Sequence, residues 1–367
     1  MAGLYIHIPF CKSRCIYCGF YSTTAFELRQ QYTGALCREM AQRASADNIG
    51  TIYLGGGTPS QLTLPQLQRI FDTIYKYNKV DKDAEVTIEV NPDDVTEELA
   101  TALASLSVNR VSMGAQTFND ERLAFLRRRH TSRQVGKAIE RLRKAGISNI
   151  SIDLMYGFPE ETLDSWQQDI STALSLDVEH LSAYCLMIEE GTPLHCMQIS
   201  PIDEELERAM YEQLMDRLAA SGYEHYEISN FARPKFRSRH NSNYWNQTPY
   251  KGIGAAAHSY DGLRRRCWNI SNIQRYIDGI RVGKCVYEEE WLDEDTHYND
   301  IITVSLRTCE GIRLKDLSAR HRQYCLRNAQ HFIDDDLLKF SPDKNNLSLT
   351  RRGLFISDMI MSDLMLV

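Results

Sequence analysis

The chain reads as an α/β protein built on a partial, open TIM-type (β/α)6 barrel, with a smaller α/β domain at its C-terminal end. Three observations predict it. Through the first half, short β-rich runs alternate with longer segments of helical spacing, the rhythm of crossover units in a parallel sheet. The residues suited to chemistry gather where those runs end. Beyond about residue 200 the alternation stops, and an aromatic and glycine-rich stretch gives way to helices with short strands.

The expected strands are 4–9, 51–55, 85–90, 110–115, 150–155 and 180–186. The helical stretches between them are 27–44, 64–77, 97–105, 120–127, 133–145 and 163–176. Parallel strands cannot be joined by hairpins, so each crossover needs its helix, and ligand-binding residues then collect at the carboxyl ends of the strands. Leu206, Met210, Leu214 and Leu218, at four-residue spacing before Gly222, predict an amphipathic helix with a glycine stop. Residues 223–259 are rich in aromatics and glycine, and 347–349 followed by Thr350-Arg351-Arg352-Gly353 closes a small terminal module. We divide the chain into a barrel (1–200), an extension (201–290) and a C-terminal domain (291–367).

Composition excludes several classes. The formal charge of -7 over 367 residues argues against a nucleic-acid footprint, which would show as a basic stripe. No apolar run reaches the length of about 18 residues that spans a bilayer, and no charged leader precedes an apolar segment, so the expectation is a cytoplasmic protein that does not cross a membrane. Ten cysteines without paired spacing suit a reducing compartment. The basic runs Arg127-Arg128-Arg129-His130 and Arg264-Arg265-Arg266 read first as solvated faces.

Cys11, Cys15 and Cys18 share one loop after the first strand. A structural zinc site wants four tetrahedral ligands, and this loop offers three thiols with no fourth nearby. A 4Fe-4S cubane held by three cysteines keeps one iron open for a small molecule, whereas an electron-transfer cluster has all four capped. Tyr17, between the last two cysteines, can offer its ring to an adenine beside the cluster. Buried structural thiols are the plainer alternative, but core cysteines have no reason to crowd one loop. The loop resembles the radical S-adenosylmethionine (SAM) superfamily.

One unit later, Gly55-Gly56-Gly57-Thr58-Pro59 closes the second strand, where missing side chains let a ligand meet bare backbone. Glu89 ends the third strand and can accept hydrogen bonds from a ribose diol. Gln116, Arg128 and Asp153 complete a polar ring, and a charge such as Asp153 inside an apolar strand demands a partner.

The resemblance narrows to the coproporphyrinogen III oxidase-like radical SAM proteins through YIHIPFC (5–11), GGGTPS (55–60), SMGAQTF (112–118) and DLMYGFP (153–159). It continues through GIGAAAHS (252–259), LRT (306–308) and EGI (310–312), and so is full length. It implies SAM contacts at Tyr5, Gly56, Gly57, Thr58, Glu89, Gln116, Arg128 and Asp153. Two departures separate this chain from the decarboxylating branch: Phe20 stands where those enzymes carry a further cysteine, and only ten residues precede Cys11. Gly19 replaces an aspartate common among relatives, with no physical account of its effect. Conversely, His240-Asn241-Ser242-Asn243-Tyr244-Trp245 matches the HNxxYW signature of the haem chaperone branch. That branch implies a chaperone with a 4Fe-4S cluster and SAM, which carries haem to acceptor haemoproteins with a cellular electron donor. His240 becomes the candidate axial ligand, and Tyr244 and Trp245 the porphyrin wall. The alternative is an oxygen-independent coproporphyrinogen III oxidase of porphyrin biosynthesis, for which no catalytic residue is assigned and from which Phe20 argues away.

Overall fold

The computed structural model describes residues 1–366. Its first half consists of β1 (Ala2–Ile8), α1 (Arg29–Gln42), β2 (Asn48–Gly56), α2 (Leu64–Tyr77), β3 (Lys79–Val90), α3 (Glu97–Ser105), β4 (Arg110–Gln116), α4 (Asp120–Phe125), α5 (Ser132–Lys144), β5 (Asn149–Tyr156), α6 (Leu163–Ser175) and β6 (His180–Cys185). Strands β1 to β6 pair in chain order, all parallel.

Local chemistry explains where these elements start and what they bury. Helix α2 begins at a capping box in which Thr63 and Gln66 satisfy each other's backbone, and it buries Leu67, Ile70, Phe71 and Ile74 on one face. The same device, Thr131 with Gln134, opens α5, which buries Val135, Ala138, Ile139 and Leu142. With helices outside and a lumen inside, the strands are covered on both faces, so Ile49, Ile52 and Leu54 of β2 all lie in the core. Trp166 of α6 is fully buried, and its indole N–H donates to the Met210 carbonyl at 2.9 Å.

The sheet does not close on itself. After α7 (Pro193–Cys196) and α8 (Glu204–Ala220) come β7 (Glu224–Glu227) and β8 (Asn230–Ala232), and β8 pairs antiparallel with β6. Helix α9 (Arg239–Trp245) leads to β9 (Tyr250–Ile253), which runs parallel to β1 on its other side. Antiparallel β10 (His258–Tyr260) and β11 (Arg265–Asn269) follow, then α10 (Ile273–Arg281) and the edge strand β12 (Tyr287–Trp291). The aromatic and glycine-rich stretch thus extends both edges of a six-stranded open barrel to a twelve-stranded sheet. In α8, Met210, Leu214 and Leu218 are buried as their spacing predicts, and Gly222 turns the chain with φ of 82°.

The remaining elements are α11 (Glu294–Ser305), β13 (Ile312–Arg313), α12 (Ala319–Asp334), β14 (Leu338–Phe340), β15 (Asn346–Leu349), α13 (Arg351–Leu354) and α14 (Ser357–Leu364). They form a three-stranded sheet with helices around an apolar cluster of their own, including Tyr298, Ile302, Phe332, Leu347 and Ile360. A buried Glu227 joins the two parts through Arg307 at 2.8 Å. Among the described residues no helix is long and apolar enough to cross a membrane.

Candidate functional site

Beyond β1 the chain forms a loop that is closed by its own backbone: Cys11 N–H donates to the Thr23 carbonyl at 3.0 Å, and Thr23 N–H to that of Pro9 at 2.6 Å. Its centre is held by Ile16, 1% exposed, which packs against Leu126, Met155, Phe158, Leu186 and Leu194. Leu194 N–H also donates to the Ile16 carbonyl at 2.9 Å. One apolar anchor inside C-x3-C-x2-C therefore leaves Cys11, Cys15 and Cys18 free, partly exposed, and lining one cavity of about 250 Å³.

The donor set fits a cluster better than a lone ion. Among the described residues, no three His, Cys, Asp or Glu side chains converge to hold a single metal ion. Cubane thiolates each bind a separate iron, so three thiols spread around a cavity suit one. Burial pushes the Cys11 and Cys18 thiols up from their ordinary value; bound iron would reverse that preference and deprotonate them. Arg128 stands ready for the thiolate charge, with Nη1 at 3.6 Å from Cys15 Sγ.

The other expected residues surround the same cavity: Tyr5, Tyr17, Gly56, Gly57, Thr58, Glu89, Gln116, Arg128 and Asp153 all line it. Tyr5 donates its hydroxyl to His7 Nδ1 at 2.9 Å, because His7 Nε2 must donate to the Tyr21 carbonyl at 3.0 Å. Burial lowers the His7 pKa to about 4, so this ring is neutral. Glu89 accepts from Tyr53 Oη at 2.8 Å and from Gly56 N–H at 3.0 Å, and its four lone pairs leave room for two more donors. Burial raises its pKa to about 7. Gln116 sits at a register shift between β4 and β5 with φ of 67°, a left-handed backbone that is uncommon outside glycine. Burial also raises the Asp153 carboxyl, and Ser182, Arg110 and Arg128 oppose that shift.

Three sequence expectations need correction. Bare backbone for a ligand is only part of the account of the glycine run, since the N–H groups of Gly56, Gly57 and Thr58 already donate to Glu89, Ile8 and Phe10. The glycines allow β1 and β2 to close up: a Cβ at Gly57 would lie 2.7 Å from the Pro9 carbonyl carbon, and one at Gly56 would strike the His7 ring. Second, the basic run at 127–130 is only partly a solvated face. Arg127 and Arg129 are exposed, but Arg128 turns inward and donates to Asn91 Oδ1 at 2.7 Å and to the Gly114 carbonyl at 2.6 Å. Asn91, which sequence reasoning did not single out, links Arg128 to Thr58; its place two residues after Glu89 was the available signal.

The third correction concerns His240 and its partner Tyr244. Helix α9 plugs the amino end of the barrel, opposite the cysteine loop. His240 is fully buried, with Nδ1 hydrogen-bonded to Thr51 Oγ1 at 2.8 Å and Nε2 to Tyr244 Oη at 3.0 Å. Glu85 accepts the backbone N–H of both Arg239 and His240, and the imidazole stacks on Tyr53. Burial lowers its pKa to about 3. Both ring nitrogens are committed, so this histidine is a strut and presents no free atom to a haem iron. Trp245 packs under the Arg307 guanidinium, 4.9 Å from its ring centre, facing the C-terminal unit.

Known proteins align with this geometry. Residues 5–173 match the Radical SAM superfamily. The haem chaperone HemW of Lactococcus lactis is 37% identical over 314 residues, covering 84% of this chain and 82% of that protein. HemW of Bacillus subtilis is 38% identical over 336 residues, covering 88% and 87%. Among solved structures, coproporphyrinogen III oxidase (HemN) of Escherichia coli superposes with a TM-score of 0.86 over 99% of this chain and 89% of its own, at 23% identity, a likeness of fold. Identity at this level across most of both HemW sequences means that the chain belongs to the HemW haem chaperone family of radical SAM proteins.

Proposed function

We propose that this chain is a haem chaperone that holds a 4Fe-4S cluster on Cys11, Cys15 and Cys18, binds SAM at the open iron, and passes haem to acceptor haemoproteins. The observation that carries the reading is the convergence of three free thiols with Tyr17, Glu89, Gln116, Arg128 and Asp153 on one cavity at the carboxyl end of the barrel. When bound, the cluster and SAM supply one-electron reductive chemistry at a sulfonium. The chain's own part is binding and orientation. Tyr17 offers a ring face, Glu89 keeps lone pairs for a diol, and Arg128 balances thiolate charge while Asn91 fixes its fork.

Haem enters as cargo through kinship with the HemW chaperones, and a cellular electron donor and haemoprotein acceptors are the partners this role requires. Cytoplasmic residence belongs to the same proposal and is supported by ten free cysteines. So does the division at 200 and 290; the separate apolar cluster of the C-terminal part supports the second boundary, while one cluster runs through the first. With both ring nitrogens of His240 bonded, this reading does not assign it to the haem iron. A haemin titration should therefore give a Soret shift in wild type and an unchanged affinity in His240→Ala; no shift in wild type would end the chaperone reading. Porphyrinogen decarboxylation rests on fold alone, and anaerobic incubation with coproporphyrinogen III, SAM and reductant should give no protoporphyrinogen IX.

A further inference from the structure

Arg110 opens β4 and is among the largest fully buried side chains of the molecule, 1% exposed. Other inward-facing arginines are bonded: Arg122 pairs with Glu161 at 2.6 Å, and Arg128 donates to Asn91 and Gly114. The Arg110 guanidinium makes neither a hydrogen bond nor an ion pair among the described residues, and its Nε is sealed without an acceptor. A buried cation left without an acceptor is unfavourable unless something else supplies one. Arg110 lines a cavity of about 530 Å³ that also takes in Cys18, Phe20 and Met187 at the mouth, and Glu89 and Asp153 between.

The surroundings select the ligand. Glu89 and Asp153 face the same space without reaching ion-pair distance of Arg110, so each further negative charge on a ligand would meet two carboxyl groups there. A single carboxylate matches the fork of one guanidinium, which donates two parallel N–H bonds to it. We propose that Arg110 anchors a carboxylate subsite at the floor of the barrel lumen, for a ligand that enters from the mouth. The inference rests on the function proposed above, which brings the propionate arms of haem to this mouth; the methionine end of SAM is taken up at the open iron.

A matched pair tests it on the cluster-reconstituted protein. Haemin is compared with haemin dimethyl ester by Soret titration. Wild type should bind the acid about ten-fold more tightly than the ester, and Arg110→Gln should erase that preference. Arg110→Lys keeps the charge but loses the fork, and should reduce the preference even where Arg110→Gln does not fold. Equal binding of the two compounds by wild type, or an undiminished preference in either variant, would overturn the subsite while leaving the chaperone reading intact. Failure of wild type to bind either compound would remove both.

Discussion

The two ends of the barrel use similar side chains to opposite effect. At the amino end, His240 has both nitrogens bonded, Glu85 receives two backbone N–H groups, and Thr51 Oγ1 also accepts from Asn243 Nδ2 at 3.0 Å. At the carboxyl end, three thiols are free, Arg128 Nε has no partner, and Glu89 retains lone pairs. Residues Gly3 and Ile8 of β1 mark the two levels, roughly 16 Å apart at the rise of an extended strand. The difference teaches that a binding site is recognised by polar capacity left over after folding. His240, conspicuous in the sequence but with both nitrogens bonded, is architecture.

The largest effect that would sharpen this contrast is at the cysteines. After anaerobic reconstitution, wild type should hold iron and sulfide at about four each per chain, and Cys15→Ala should lose the intact cluster with little change in thermal midpoint. Retention of the cluster would break the ligand assignment. At the other end, His240→Ala should have the reverse signature. It orphans the Tyr244 hydroxyl, takes one of two partners from Thr51 and opens a cavity, which should cost about 2–4 kcal/mol of stability in urea unfolding. Iron content per folded chain should stay the same.

Gly57→Ala lies between these extremes. The added methyl meets the backbone of Ile8 and Pro9, so β1 and β2 must part just below the cysteine loop, at a cost of about 1–3 kcal/mol. Unlike His240→Ala, it should also lower iron occupancy, because Thr58 and Phe10 share a backbone bond at the same level.

The smallest effect is a pH dependence. Glu89 titrates near 7 in the folded chain and near 4.5 when unfolded, because burial disfavours its charge. Between those values the native state holds a proton that the unfolded state has lost. This carboxyl therefore subtracts stability as pH rises from 4.5 to about 7, and the loss is complete above that. In cluster-free protein, Glu89→Gln should gain on wild type between about pH 5 and about pH 8 in urea midpoints. A constant gap would show that Glu89 stays charged in the lumen. The buried imidazoles work in the opposite sense: His7 and His240 are neutral when folded, so their contribution weakens as pH falls below their ordinary value of 6.5.

Much of this was legible before the structure. The six βα units lie where alternation places them, and helices 64–77 and 97–105 end on the expected residues, since caps and apolar spacing are local properties. The added edges were harder to read. β8 and β10 span three residues each, and every residue of β12, with its run of three glutamates, is exposed and shows no alternation. Gly56, Glu89 and Gln116 could be read because each lies at or next to the end of a strand. His240 could not be placed, because a signature names neighbours in sequence and not the end of the barrel they occupy. Arg110 escaped for a related reason. A charge at the first residue of a strand reads as a solvated terminus, and only the fold shows that β4 begins deep inside.

The central claim is that the mouth holds a cluster with one iron left open for SAM. Electron paramagnetic resonance of the reduced, reconstituted protein tests it most directly. Adding SAM should change the cluster signal in wild type and equally in His240→Ala, since the open iron lies at the other end of the barrel from that residue. A signal unchanged at saturating SAM would contradict the account.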